Sequence, residues 1–358
     1  MNRTEPPALG FRLERHSLDR RAPAGTLVDV AGRICGLHAQ VLSAADLQLW
    51  SRVEEHARGD LERALWDERT VVKTWLMRGT LHIVPAHELP VYVGALDNRG
   101  EYGNAWLRAF GATDAQMERL IDSTAAALDG VCLTRAELIA AVKPKVGKAF
   151  AAQLESGWGT FLKPAARRGV LCFGPSRGQN VTFVRPDQWL GVRFELGREG
   201  ACAELLRRYL RAFGPAGRRD FQLWFGSQRV RTQPWEAIAD ELVEVEPRRF
   251  ALEADVSHLS TKPAGVKLLA GFDPYVLFPH TDRPVPQEFM SRVSRTAGWI
   301  SPTIVERGRV VGTWSHAAKG RGLELRIEPF AALSKTTAAA VRREARSLAG
   351  YVGLSEPG

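Results

Sequence analysis

Apolar positions recur along this chain with two different periods, and three times a helical spacing gives way to an alternating one. In the first passage, "TLVDVAGRICGL" and "SAADLQLWSRVEEHA" predict amphipathic helices starting at Thr26 and Ser43. "DLERALWDE" predicts a short third helix capped by Asp60. The period then shortens to two. "TVVKTWLM" and "TLHIVP", joined by "RG", predict a hairpin closed by Pro85. The second passage opens with "LTRAELIAAV", where Thr134 and Glu137 have capping-box spacing, and goes on to "WGTFLKPAARRG", a helix kinked or begun at Pro164. "VLCFGP" and "NVTFVRP" around "SRGQ" predict its hairpin. The third runs through "GRRDFQLWFG" and "TQPWEAIADEL" to a hairpin of "LVEVEP" and "FALEADV" turning at Arg248.

Helices followed by a hairpin are the parts of a winged helix-turn-helix unit, in which a helix and the hairpin touch DNA. The fold class expected is therefore α+β. Three such units would occupy 1–110, 111–195 and 196–256. Beyond them, 257–358 holds short apolar strands punctuated by Gly and Pro ("VKLLAGFDPYVLF", "TIVERGRVVGTW", "GLELRIEPF") and a last helix, "TTAAAVRREARSLAGYV". That texture predicts a small antiparallel barrel or curled sheet.

Charge changes the picture more than composition does. Of 358 residues, 45% are hydrophobic and 25% charged, an ordinary globular balance, but the net charge is +9 with Lys and Arg together at 49. A polyanionic partner follows, nucleic acid or an anionic surface. No apolar run approaches the roughly 18 residues of a membrane helix, and the N-terminus lacks the apolar stretch of a signal peptide. A cytoplasmic, monomeric protein without membrane partners is expected, associated with the nucleoid through DNA. Cys35, Cys132, Cys172 and Cys202 are widely spaced beside apolar neighbours and read as buried thiols. No His or Cys stands at zinc-ligand spacing, so no metal is expected.

Five stretches carry a resemblance: "GLHAQ" at 36–40, "MRGTLHIVP" at 77–85, "GRRDFQLWFG" at 217–226, "LLAGFDPYVL" at 268–277 and "ISPTIVERGRVVGTW" at 300–314. In this order the chain resembles, over nearly its whole length, the AlkZ-like bacterial DNA glycosylases. That resemblance implies tandem winged helices followed by a β-barrel, arranged around a DNA-binding channel. It also implies a monofunctional enzyme that hydrolyses the N-glycosidic bond of alkylated purines in double-stranded DNA, with no cofactor. The family's catalytic signature is Gln-x-Gln, with Gln-x-Asp and His-x-Gln branches. His38-Ala39-Gln40 matches the last, which is associated with self-resistance to bulky intercalating alkylators of guanine N7.

The chemistry agrees. N7-alkylguanine is cationic, so it can leave without a general acid, and the enzyme has only to hold a water and stabilise positive charge on the sugar. A Gln amide orients water but does not take its proton; a neutral imidazole, ordinarily titrating near about 6.5, does both. In an extended segment His38 and Gln40 project to one side and Ala39 to the other. The plainer reading of the pair is a helix end satisfied locally.

Candidate DNA contacts are Arg78 in the first hairpin turn, His82 on the strand after it, and the pairs Arg167/Arg168 and Arg218/Arg219. His280 and Arg283, in the Pro-flanked stretch "FPHTDRPVP", complete the set. Each has an ordinary alternative: a solvated turn, a packed histidine, a solvated helix face, a plain connection. The ten tryptophans read mostly as core. Two further readings of the whole remain, a winged-helix transcription regulator and a noncatalytic damage-binding protein. Release of a free modified base separates the glycosylase from both.

Overall fold

The computed structural model describes residues 8–97, 107, 111–146, 154–155, 159–226, 232–277, 281–319 and 322–354. The chain divides into two compact units, one of residues 1–61 with 206–358 and the other of residues 62–205.

In the 62–205 unit, Val71–Trp75 pairs antiparallel with Leu81–Pro85, from Val71 opposite Pro85 to Trp75 opposite Leu81. The turn is tight because Arg78 (φ 57°) and Gly79 (φ 66°) both adopt the left-handed backbone. A second hairpin pairs Cys172–Arg177 with Asn180–Val184, bulged between Gly174 and Arg177, and Leu133–Thr134 adds a third strand. Trp75, Phe173 and Phe183 pack together with centroids 4.8 to 6.0 Å apart, tying the two hairpins to one core. Helices Asp114–Ala127 and Arg135–Val146 bury Met117, Leu120 and Ile121, and Leu138 and Val142, at helical spacing against it. The expected capping box is present: Thr134 N donates to Glu137 (2.7 Å) and Glu137 N to Thr134 Oγ1 (3.3 Å). The stretch around Pro164 is helical only over Lys163–Arg167, begun rather than kinked by the proline.

In the 1–61 and 206–358 unit, the helix expected from Ser43 to residue 57 runs instead over Leu42–Trp50, with extended Val41 before it. It stops early because the hydroxyl of Ser51 (2.9 Å) and the guanidinium of Arg52 (3.0 Å) satisfy the Gln48 carbonyl. Thr26 precedes the helix Leu27–Arg33 but does not cap it; its hydroxyl donates to the Pro23 carbonyl at 2.6 Å. The third hairpin pairs Leu242–Glu246 with Arg249–Leu252. The helix expected before it is one turn, Gln233–Glu236, followed by a 3₁₀ turn at Ala239–Glu241.

The expected C-terminal barrel is, among the described residues, an open antiparallel sheet. Its order is Gly322–Pro329, Arg309–Lys319, Thr303–Glu306, Val266–Leu269. Both faces of Thr303–Glu306 and Val266–Leu269 are covered. Leu268 and Ile304 pack with Trp314, Val341 and Leu348, the last two from the helix Lys335–Val352. Leu269 and Val305, one residue on, turn to the other face and pack with Phe272, Tyr275, Val293 and Ile300. Strands buried on both faces read as unbroken apolar runs. Among the described residues no helix is long and apolar enough to cross a membrane.

Candidate active site

The helix Leu27–Arg33 ends in two left-handed residues, Cys35 (φ 58°) and Gly36 (φ 97°), which reverse the chain into the two-residue strand Leu37–His38. His38 is buried (7% exposed), Ala39 is fully buried and Gln40 is exposed. Gln48, itself fully buried, grips the main chain of His38 at two points. Its carbonyl oxygen accepts from the His38 amide (3.2 Å) and its amide nitrogen donates to the His38 carbonyl (3.0 Å). A side-chain amide thus satisfies both main-chain polar groups of His38. The imidazole lies parallel to the Phe272 ring, centroids 5.4 Å apart and planes within 6°.

Both supports of His38 rest on one buried ion pair. Arg52 donates to Asp273 through Nη1 (2.8 Å) and Nη2 (2.7 Å), and both side chains are wholly withdrawn from solvent. Arg52 Nη1 also reaches the Gln48 carbonyl and Ser51 Oγ, each at 3.0 Å. Asp273 Oδ1 accepts from the Tyr275 amide (3.0 Å), which fixes the turn that carries Phe272 in a left-handed conformation (φ 61°). The fork geometry satisfies both charges, the condition for an interior ion pair to persist. Nearby His16 is fully buried between Phe213 and Tyr275, and its Nε2 lies 3.2 Å from the Ala212 carbonyl. Burial above all, and then the charge of Arg52, holds its pKa well below the usual imidazole range.

The candidate DNA contacts fall into distinct environments. In the 62–205 unit, His82 is buried with Nδ1 2.9 Å from the Thr80 carbonyl. Its Nε2 faces Arg78 Nη2 at 3.4 Å. An N–H at Nδ1 makes Nε2 the acceptor, so His82 steers the Arg78 guanidinium. A Cβ on Gly79 of the same turn would touch Arg167 and Lys163 at 3.4 Å, which places those cations beside Arg78. Burial lowers the pKa of Arg167, and burial together with Arg167 lowers that of Lys163. The Arg167 Nε is buried without a hydrogen-bond partner among the described residues. Arg168 differs: it meets Glu118 (3.1 and 3.2 Å) and Asp97 (3.7 Å).

In the other unit Arg218 and Arg219 are exposed in the first turn of the helix Arg218–Phe225. Arg283 is exposed on a loop anchored through Asp282, which accepts from buried Arg12 and pairs with Arg249. His280 lies outside the described residues. Gln48, Arg52, Phe272 and Asp273 were not legible as site residues. Phe272 and Asp273 stand in the motif "LLAGFDPYVL", which signalled the family without giving their part in it. Nor was Trp299, 49% exposed where the tryptophans were expected in the core.

The profile of the DNA glycosylase AlkZ-like family matches residues 31–351. A curated relative, "Interstrand DNA cross-link repair glycosylase" of Streptomyces sahachiroi, is 38% identical over 360 residues, covering 96% of this chain and 95% of its own. The solved structure of the Streptomyces sahachiroi DNA glycosylase AlkZ superposes with a TM-score of 0.87 at 36% identity. It covers 98% of this chain and 97% of that one.

Proposed function

We propose, from the premise that this chain belongs to the AlkZ-like DNA glycosylase family, that it is a monofunctional DNA glycosylase acting on bulky N7-alkylguanine in double-stranded DNA. Its role is protection of a producing cell from an intercalating, DNA-alkylating antibiotic. The curated relative is named for interstrand cross-link repair. A cross-link through two guanine N7 atoms offers the same cationic leaving group at either end.

One observation carries the reading. A histidine whose main chain is clamped and whose ring is stacked stands two residues before an exposed glutamine. His38 and Gln40 jointly hold the attacking water. Gln40 orients it through its carbonyl oxygen and His38 accepts its proton as the glycosidic bond opens. The alkylated base leaves neutral, taking the bonding electrons, and the hydroxide equivalent closes on C1′. Arg78, Lys163 and Arg167 contact phosphate, as do Arg218, Arg219 and Arg283, and the three helix-and-hairpin passages serve as winged-helix contacts to the duplex.

The test is single-turnover excision from duplexes carrying N7-methylguanine or one bulky N7-guanine adduct, read as free base and abasic site. His38→Ala and Gln40→Ala should each slow release by roughly tenfold to a thousandfold, the cost of losing a positioned catalytic group. Binding to undamaged DNA should stay as it was, and the double variant should lose less than the product of the two. Parental rates in both folded variants would overturn the assignment.

A further inference from the structure

A loop beside the candidate site exposes an aromatic ring that the core does not need. Residues 295–299 form a tight turn in which Arg295 N donates to the Trp299 carbonyl (2.8 Å) and Trp299 N to that of Thr296 (3.3 Å). A bridge between Ser294 and Ile300 closes its base. Ala297 (φ 57°) and Gly298 (φ 73°) take left-handed conformations to make the turn. Val293 and Ile300 bury themselves beneath it, so the loop is anchored without the indole. Trp299 nevertheless stays half exposed, and Arg295 at the loop's other end is exposed too.

The indole is not placed at random. Its ring packs against Phe272 in a T-shaped contact, centroids 5.0 Å apart at 75°, and Phe272 lies parallel to His38 at 5.4 Å. Three rings therefore run in series from solvent to the candidate catalytic imidazole. Leaving half an indole in water forgoes apolar burial. An aromatic ring next to a cation on a fixed loop is the arrangement on which planar bases stack beside a phosphate chain.

We propose that Trp299 is a stacking platform for a planar ring presented by bound DNA, with Arg295 meeting the adjacent phosphate. The ring is either a nucleobase exposed around the lesion or the flat ring system of the adduct. This rests on the glycosylase reading above for the neighbourhood of His38. Stacking itself is read independently of base release.

The experiment uses the full-length protein with Trp299→Ala and Trp299→Phe and three duplexes: undamaged, N7-methylguanine, and a guanine N7 adduct bearing a polycyclic aromatic group. Affinity and indole emission are measured for each. Trp299→Ala should weaken binding by about tenfold, the usual effect of removing one stacked ring, and Trp299→Phe should restore most of it. Parental emission should be quenched on adding duplex by an amount that disappears in Trp299→Phe. A loss on both lesion duplexes but not on undamaged DNA identifies a nucleobase exposed around the lesion as the ring; a loss confined to the polycyclic duplex identifies the adduct, and an equal loss on undamaged duplex overturns both. Parental affinity of Trp299→Ala on every duplex, or equal quenching in Trp299→Phe, overturns the proposal. Weakened binding in Trp299→Ala alongside undiminished excision by the His38 and Gln40 variants would uphold the platform and remove the catalytic assignment.

Discussion

Arg52 in one unit and Arg167 in the other are both drawn away from water, but in opposite electrical company. Arg52 has a carboxylate on both arms of its fork and two further acceptors. Arg12, equally buried, reaches the carbonyls of Phe213 and Gly214 and the carboxylate of Asp282. Arg167 and Lys163 lie beside Arg78 with their charged forms disfavoured by burial. A paired interior cation acts as a rivet, since its charge is spent on holding segments together. Burial disfavours the charged forms of Arg167 and Lys163, a cost that a bound phosphate would offset under the reading proposed above.

The sharpest way to break the contrast is to unpair the rivet. Asp273→Asn or Arg52→Met should destabilise the protein by about 3–5 kcal/mol, because the surviving partner is left charged and buried. Urea unfolding measures this, and replacing both together should cost less than the two single changes summed. Next comes Gln48→Leu, which strips the His38 amide and carbonyl of their partner for about 1–3 kcal/mol. In the folded variant kcat should fall with KM little changed, since a loosened imidazole still allows DNA to bind.

A smaller effect tests the electrical setting through pH. The His16 pKa is depressed in the folded state, so the native protein resists taking a proton that the unfolded chain accepts. Stability is therefore full above about pH 6.5 and falls by about 1.4 kcal/mol per unit as pH drops from there toward the lowered folded pKa. Denaturation midpoints from pH 7.5 to 5 should show this slope, and His16→Asn should be shallower. The smallest change in stability is expected at the other cluster. Arg167→Met should leave the melting temperature unchanged or slightly higher, yet weaken duplex binding and lower the salt slope by about one. Arg168→Met, which removes a cation already engaged with Glu118 and Asp97, should leave the slope where it was.

What the sequence made legible follows from range. The three hairpins and the helices Arg135–Val146 and Lys335–Val352 are written in local periodicity and in turn residues, whereas Asp114–Ala127 and Arg198–Phe213 were not picked out. His38 and Gln40 were singled out because His38-Ala39-Gln40 matches a short family signature, a local motif. Arg52 and Asp273 are 221 residues apart, and no local pattern joins them. The open sheet was read as a barrel or curled sheet because Thr303–Glu306 and Val266–Leu269, covered on both faces, lose the alternation that separates inside from outside. The short helix Leu42–Trp50 defeated periodicity for another reason: side chains of Ser51 and Arg52 ended it where apolar spacing continued. Trp299 was not set apart from tryptophans read mostly as core, because residue type alone does not tell a buried indole from a displayed one.

The grip of Gln48 on residue 38 has a consequence for how such a site changes over generations. It holds the peptide group and leaves the side chain out of the bargain. Position 38 is thus a socket into which a different polar head can be fitted without disturbing the shelf that carries it. A flat carboxamide can lie along Phe272 much as the imidazole does. A Gln at position 38 of this chain would keep the same main-chain mounting.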